Sequence, residues 1–228
     1  RYGFIAYDRV TRDTFALIGA ALWGWLWRAQ GDCRISIRRS LLVVTAVLAY
    51  ALAMLAVNGI EAIHLPQYLL MVLMLAAAGL GLESAWLVAT LLGALDEMWQ
   101  WQLLRRARPE YFDWNDVVLN ACGAALGVLV ARRLRWGRRG RLLPTRMAVG
   151  LLLVAAALAL LSGPVIAEPF NRFSPAGRWF HLASATEAAA LMAVLWWTVR
   201  EAGRDGSAPR AVPAPDEVAQ AVPDRPEA

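Results

Sequence analysis

Apolar residues gather into seven runs, near residues 14–28, 41–58, 65–82, 85–104, 116–132, 147–167 and 179–199. Most approach the ~20 apolar residues that a helix needs to cross a hydrocarbon core of about 30 Å. Each run therefore predicts a transmembrane helix. The connections "NGIEAIHLP" and "GLGLES" are tight and rich in turn and cap residues. Pro66 falls where a first helical turn tolerates proline. From Glu201 the pattern gives way to Pro, Asp, Glu and Ala, which cannot bury enough apolar surface to order a chain. The pattern as a whole predicts an all-α, multi-pass transmembrane bundle of about seven helices with a disordered C-terminal tail.

Polar residues break the apolar pattern in two places. The first is "GALDEMWQWQ", Gly93 to Gln102. A helix starting near Ala85 carries Asp96 to a depth of ~16 Å at 1.5 Å per residue, close to mid-bilayer. A charge there costs ~2.5–3.5 kcal/mol, so such residues normally face a bundle interior or a wet cavity. Asp96 and Gln100 are four apart and Glu97 and Gln100 three apart, so all three can share one helix sector. The plainer alternative ends or tilts the helix here, leaving the acids at the interface with Trp99 and Trp101 as aromatic belt residues.

The second place is "DVVLNACGAALG". Asp116, Asn120, Gly123 and Gly127 follow one another at steps of four, three and four, a single stripe down one helix face. Gly123 and Gly127 form a small-xxx-small pair that admits a neighbouring helix closely. Packing and the helix dipole account for Asp116 and the glycines, but a buried Asn120 amide needs partners. A neighbouring helix carrying Glu97 and Gln100 would supply them.

Composition supports the membrane reading. The chain is 59% hydrophobic and 18% charged, with a mean hydropathy of +0.44, against ~45–50% and ~25% for soluble domains. All 23 cationic residues are Arg, and the net charge is +5. The arginines sit at the ends of apolar runs, which points to membrane topology and away from a nucleic-acid partner. Arg28, Arg34, Arg38 and Arg39 follow the first run, and Arg132, Arg133, Arg135, Arg138, Arg139, Arg141 and Arg146 follow the fifth. With seven spans both groups share one side with the C-terminus, and the positive-inside rule makes that side cytoplasmic. The opposite face then collects Glu61 and His64, Arg108, Asp113 and Asp116, and Glu168, Arg172 and His181.

Among these, Arg108 offers a rigid fork of donors for carboxylate or phosphate, and Pro109 stops a helix immediately after it. His64 can pair with Glu61 or titrate near neutrality, although a lone His at a helix start is commonly a cap. Glu187 is a weaker intramembrane candidate. Cys33 in an Arg-rich loop and Cys122 in an apolar run are poorly placed for a disulfide, and no metal-ligand spacing occurs. Neither a metal nor a cofactor is expected.

Taken together, "DEMWQ", Arg108 and the D-x-x-x-N-x-x-G-x-x-x-G run from Asp116 to Gly127 resemble the VanZ-like family of membrane proteins. His64 followed by Tyr68 is similar to the His and Tyr that open the family's preceding helix, while "YFDWN" lengthens the interval after Arg108. The resemblance covers about residues 60–132. It divides the chain into N-terminal spans (1–59), a VanZ-like core (60–132), an Arg-rich cytoplasmic loop with two further spans (133–200) and the tail (201–228). It implies a bacterial inner-membrane protein with a cell-envelope role linked to the glycopeptide teicoplanin.

Three functions fit these observations. The first is an outward-facing polar pocket that binds or processes a lipid-linked or phosphate-bearing envelope substrate. There Arg108 clamps an anion, Glu97 acts as base or acceptor, and Asp116 and Asn120 orient the rest, with Asp96, Gln100 and His64 as further candidates. The second is a proton-coupled transporter or flippase component using Asp96, Glu97 and Glu187. The third is a membrane scaffold without catalysis. The sequence carries no phosphate loop and no nucleophile elbow, which sets soluble enzyme classes aside and leaves enzymatic activity open.

Overall fold

The computed structural model describes residues 2–29, 34–54, 61–104, 113–136, 171–173, 179–181 and 185–204. Their order is α1 (Tyr2–Trp27), α2 (Arg34–Met54), a single 3-10 turn (Glu61–Ile63), α3 (His64–Ala77), α4 (Leu82–Leu104) and α5 (Trp114–Arg133). Two three-residue strands, β1 (Asn171–Phe173) and β2 (Trp179–His181), then precede α6 (Ala185–Arg204). The fold is helical, as the apolar periodicity predicts, and the described residues hold six α-helices where the apolar runs predict about seven.

The differences have local causes. The run near 147–167 lies outside the described residues. The run expected from 179 opens instead as β2, which pairs antiparallel with β1 in the register Asn171↔His181, Arg172↔Phe180 and Phe173↔Trp179. Aromatic residues that suit strands flank a Ser-Pro-Ala-Gly sequence there. Helix α6 starts only at Ala185 and continues to Arg204, so the first four residues of the expected tail are helical. Residues 205–228 of the tail lie outside the described set. At the other end α1 begins well before the first apolar run, at Tyr2.

Helix α5 is the axis of the bundle. Its sequence is dominated by Ala, Gly and Val, so neighbours can close on every side, and α3, α4, α6 and α2 all pack against it. Val118, Leu119, Ala121, Cys122, Ala124, Ala125 and Val128 have no exposed surface. A helix apolar all round belongs inside a core or a membrane. At 20 residues α5 is long and apolar enough to cross a bilayer, as is Ile35–Ala53 of α2, and Glu61–Ala77 is a shorter apolar helix.

The turn between α3 and α4 is closed by Gly79, whose φ of 93° favours glycine, with Leu80 N donating to Leu75 O at 3.1 Å. This reversal makes α3 and α4 antiparallel, and α5 starts where α4 ends. The first turn of α3, the second half of α4 and the first turn of α5 therefore share one end of the bundle. At the opposite end Arg38 donates from Nε to Trp27 O at 2.9 Å and lies over the Trp27 ring. Arg133 covers Trp25 at 4.3 Å from its centroid. Arg38 and Arg133 thus lie at the end of the bundle opposite the second half of α4 and the first turn of α5.

Candidate functional site

Three helices bring His64, Glu97 and Asp116 together. His64 is the first residue of α3, held there by the 3-10 turn. Asp116 stands in the first turn of α5, which Asp113 caps by accepting from Asn115 N at 3.0 Å. Glu97 reaches in from α4 and is buried, with 4% of its surface exposed. The Nε2 of His64 lies 3.6 Å from Oδ2 of Asp116, and one ligand-type atom from each of the three residues falls within 4.8 Å of the others. Asn120 is fully buried one turn below Asp116 and lies against His64.

Glycines set these approaches. A Cβ on Gly123 would stand 2.5 Å from Leu65 O and 3.0 Å from His64 O, and one on Gly127 would stand 2.7 Å from Leu69 O. The small-xxx-small pair therefore seats the backbone of α3, which delivers His64 to Asp116. Gly93 of α4 does the same for Asn120, whose Nδ2 would be 2.7 Å from an added Cβ. The polar pattern alone does not mark Gly93, but its spacing does. It lies four residues before Glu97, on the same helix face.

Several of these atoms lack ordinary partners. Glu97 Oε1, Asp116 Oδ1, His64 Nδ1 and both polar atoms of the Asn120 amide are buried without a hydrogen bond of good geometry. Buried polar groups are ordinarily satisfied, and leaving one unmade costs ~1–3 kcal/mol. Glu61, Asp96 and Asp113 add to the negative field on Glu97. Tyr68, 2% exposed, closes the inner wall with its ring 6.4 Å from that of His64. Near the same end, Tyr50 of α2 donates to Glu187 of α6.

Two candidates stand apart. Gln100 donates from Nε2 to Oδ2 of Asp96 at 3.0 Å, and both side chains are exposed on the outer face of α4. A step of three residues rotates Gln100 about 60° away from Glu97, so the line that α4 buries is Gly93–Glu97 rather than Glu97–Gln100. The expected Asn120–Gln100 partnership is replaced by contacts with Gly93 and His64. Trp99, 63% exposed, is placed as a belt residue would be. Arg108 lies outside the described residues.

An apolar groove of about 420 Å³ runs beside this cluster between α1, α2 and α3. Leu22, Trp23, Leu48 and Leu126 line it, together with Ala62 and Leu65, which flank His64 in the chain. Its size falls within the ~300–1,000 Å³ of small-molecule sites.

No curated protein and no solved structure matches the chain. The VanZ/LLP1 family model matches residues 18–135, so the likeness extends back through α2 into α1, well before residue 60. That match spans just over half of the 228 residues and includes the whole cluster and both apolar helices: the chain is a membrane protein of the VanZ/LLP1 family.

Proposed function

We propose that the protein is a multi-pass component of the bacterial inner membrane whose polar cluster faces outward and takes a lipid-linked, phosphate-bearing envelope substrate. One observation carries the reading: a partly buried cluster of His64, Glu97, Asp116 and Asn120 shares the start of α3 with an apolar groove. A lipid anchor matches the groove, and a polar head matches the cluster. In this reading Arg108 clamps the anionic head, Glu97 accepts a proton or hydrogen bond, and Asp116 and Asn120 orient them. The arginines at the far end of α5 support a cytoplasmic assignment for that end and for the C-terminus.

The family's envelope theme gives the assay. Cells dependent on this protein for glycopeptide tolerance should lose it with Glu97→Gln or Asp116→Asn at normal membrane abundance. Leu48→Trp, which fills the groove without touching the acids, should have the same effect and should weaken binding of a long-chain isoprenoid phosphate to the purified protein. Full tolerance in both acid variants would refute the proposal.

A further inference from the structure

We infer that His64, Glu97 and Asp116 form a binding site for one divalent d-block cation of the zinc class. The site is independent of what occupies the groove. The donor set is one imidazole nitrogen and two carboxylate oxygens from three different helices. Three protein ligands with one position left over is the arrangement of a reactive zinc centre.

The geometry is close to what a cation needs. Ligand bonds of about 2.1 Å in a tetrahedral centre place the ligand atoms roughly 3.4 Å apart. His64 Nε2 and Asp116 Oδ2 already stand at 3.6 Å, and the widest separation in the trio is within 4.8 Å. Closing the remaining gap to Glu97 takes at most about 1.4 Å, the difference between 4.8 Å and the tetrahedral separation, within reach of a rotamer change. An independent sign comes from Asn120, 0% exposed, whose amide makes no hydrogen bond of good geometry yet lies against His64. It is placed to orient the His64 ring, as partners behind a metal-bound histidine do.

Charge favours the same conclusion. Glu97 is buried and Asp116 largely so, and Asp113, Glu61 and Asp96 add negative potential at one or both. Two carboxylates in that position are costly without a counter-charge, and a divalent cation supplies one while satisfying Glu97 Oε1 or Asp116 Oδ1. The 14% exposure of both His64 and Asp116 leaves an opening. The free coordination position suits water or a phosphoryl oxygen, which the cation would polarise.

The test uses the full chain, purified in detergent with a histidine-free tag, stripped by chelator and titrated with Zn²⁺. Competing ligands are few, because the sequence holds two histidines and two cysteines. Wild type should bind one zinc per chain. Binding should weaken at least tenfold in His64→Ala and Asp116→Asn, and stay unchanged in His181→Ala and Gln100→Ala. Should the acid-cluster variants fail to fold, Co²⁺ added to the wild type gives a second readout. A saturable low-coordinate visible spectrum, displaced by Zn²⁺, supports the site. No stoichiometric zinc in wild type, undiminished zinc in folded His64→Ala, or no saturable Co²⁺ spectrum overturns it.

Discussion

Replacing Gly123 with Ala tests the contact on which the site depends. The new methyl would meet Leu65 O at 2.5 Å, Leu65 Cα at 2.9 Å and His64 O at 3.0 Å. An ordinary van der Waals contact is ~3.5 Å or more, so α3 must retreat by roughly 1 Å. All three obstacles are backbone atoms, which cannot turn aside as a side chain can. With backbone atoms as the obstacles the overpacking cost lies in the upper part of the usual range, ~2–3 kcal/mol, and the better helix propensity of Ala offsets ~1 kcal/mol. The net loss is about 1–2 kcal/mol, or roughly 2–8 °C in melting temperature for a chain of this length. Gly24→Ala is the control, because nothing lies within 4 Å of its Cβ position, and it should melt at or above wild type. Thermal unfolding in detergent reads both. Because His64 moves with Leu65, Gly123→Ala should, under the proposed function, also reduce the glycopeptide tolerance expected to depend on Glu97. Gly123→Ala melting as high as wild type would show that α3 and α5 do not meet as described.

Two further outcomes follow from neighbouring contacts. Gly93→Ala should destabilise by about 1–2 kcal/mol through its clash with the Asn120 side chain, and Asn120→Ala in the same chain should recover most of that. A double-mutant cycle on the two should give a coupling of ~0.5–3 kcal/mol, whereas additive effects would separate the residues. At the end of α5, Arg135 adopts a φ of 62° while Trp136 N donates to Ala131 O at 2.8 Å, a closure that normally uses glycine. Arg135→Gly should therefore raise stability by about 1 kcal/mol, read as an increase of a few degrees in melting temperature, and a lower melting point would contradict the strain.

Much of the bundle is legible in the sequence because apolar runs and helix periodicity are local signals. The runs at 41–58, 65–82, 85–104 and 116–132 correspond to α2, α3, α4 and α5, and the Asp116–Gly127 stripe is a buried face of α5. The hairpin before α6 is not legible in hydropathy, since the aromatic residues that form β2 also read as the start of an apolar span. What periodicity leaves open is which neighbour a face meets. At about 100° per residue, Asp116, Asn120, Gly123 and Gly127 fall within an arc of roughly 60°. That is narrow enough to define a stripe and wide enough for two partner helices. Asn120 at one edge meets Gly93 of α4, while Gly123 toward the other meets Leu65 of α3.

The same angular width explains the fate of "DEMWQ". Glu97 and Gln100 are about 60° apart, and that difference is enough to bury one and expose the other. Asp96 turns about 100° to the same side, outward, within about 40° of Gln100, which it holds one turn along. Local spacing thus identifies the helices that carry unusual polar groups, but the set that acts together is fixed by the glycine contacts between helices. His64, Glu97 and Asp116 are separated by 33 and 19 residues, distances at which no metal-ligand spacing can be read. They meet because Gly123 and Gly127 let α3 lie against α5, and because Gly93 lets α4 close over Asn120. In a helical membrane protein of this kind, the chemistry-bearing residues say what a site could do, and the small residues beside them decide whether it exists.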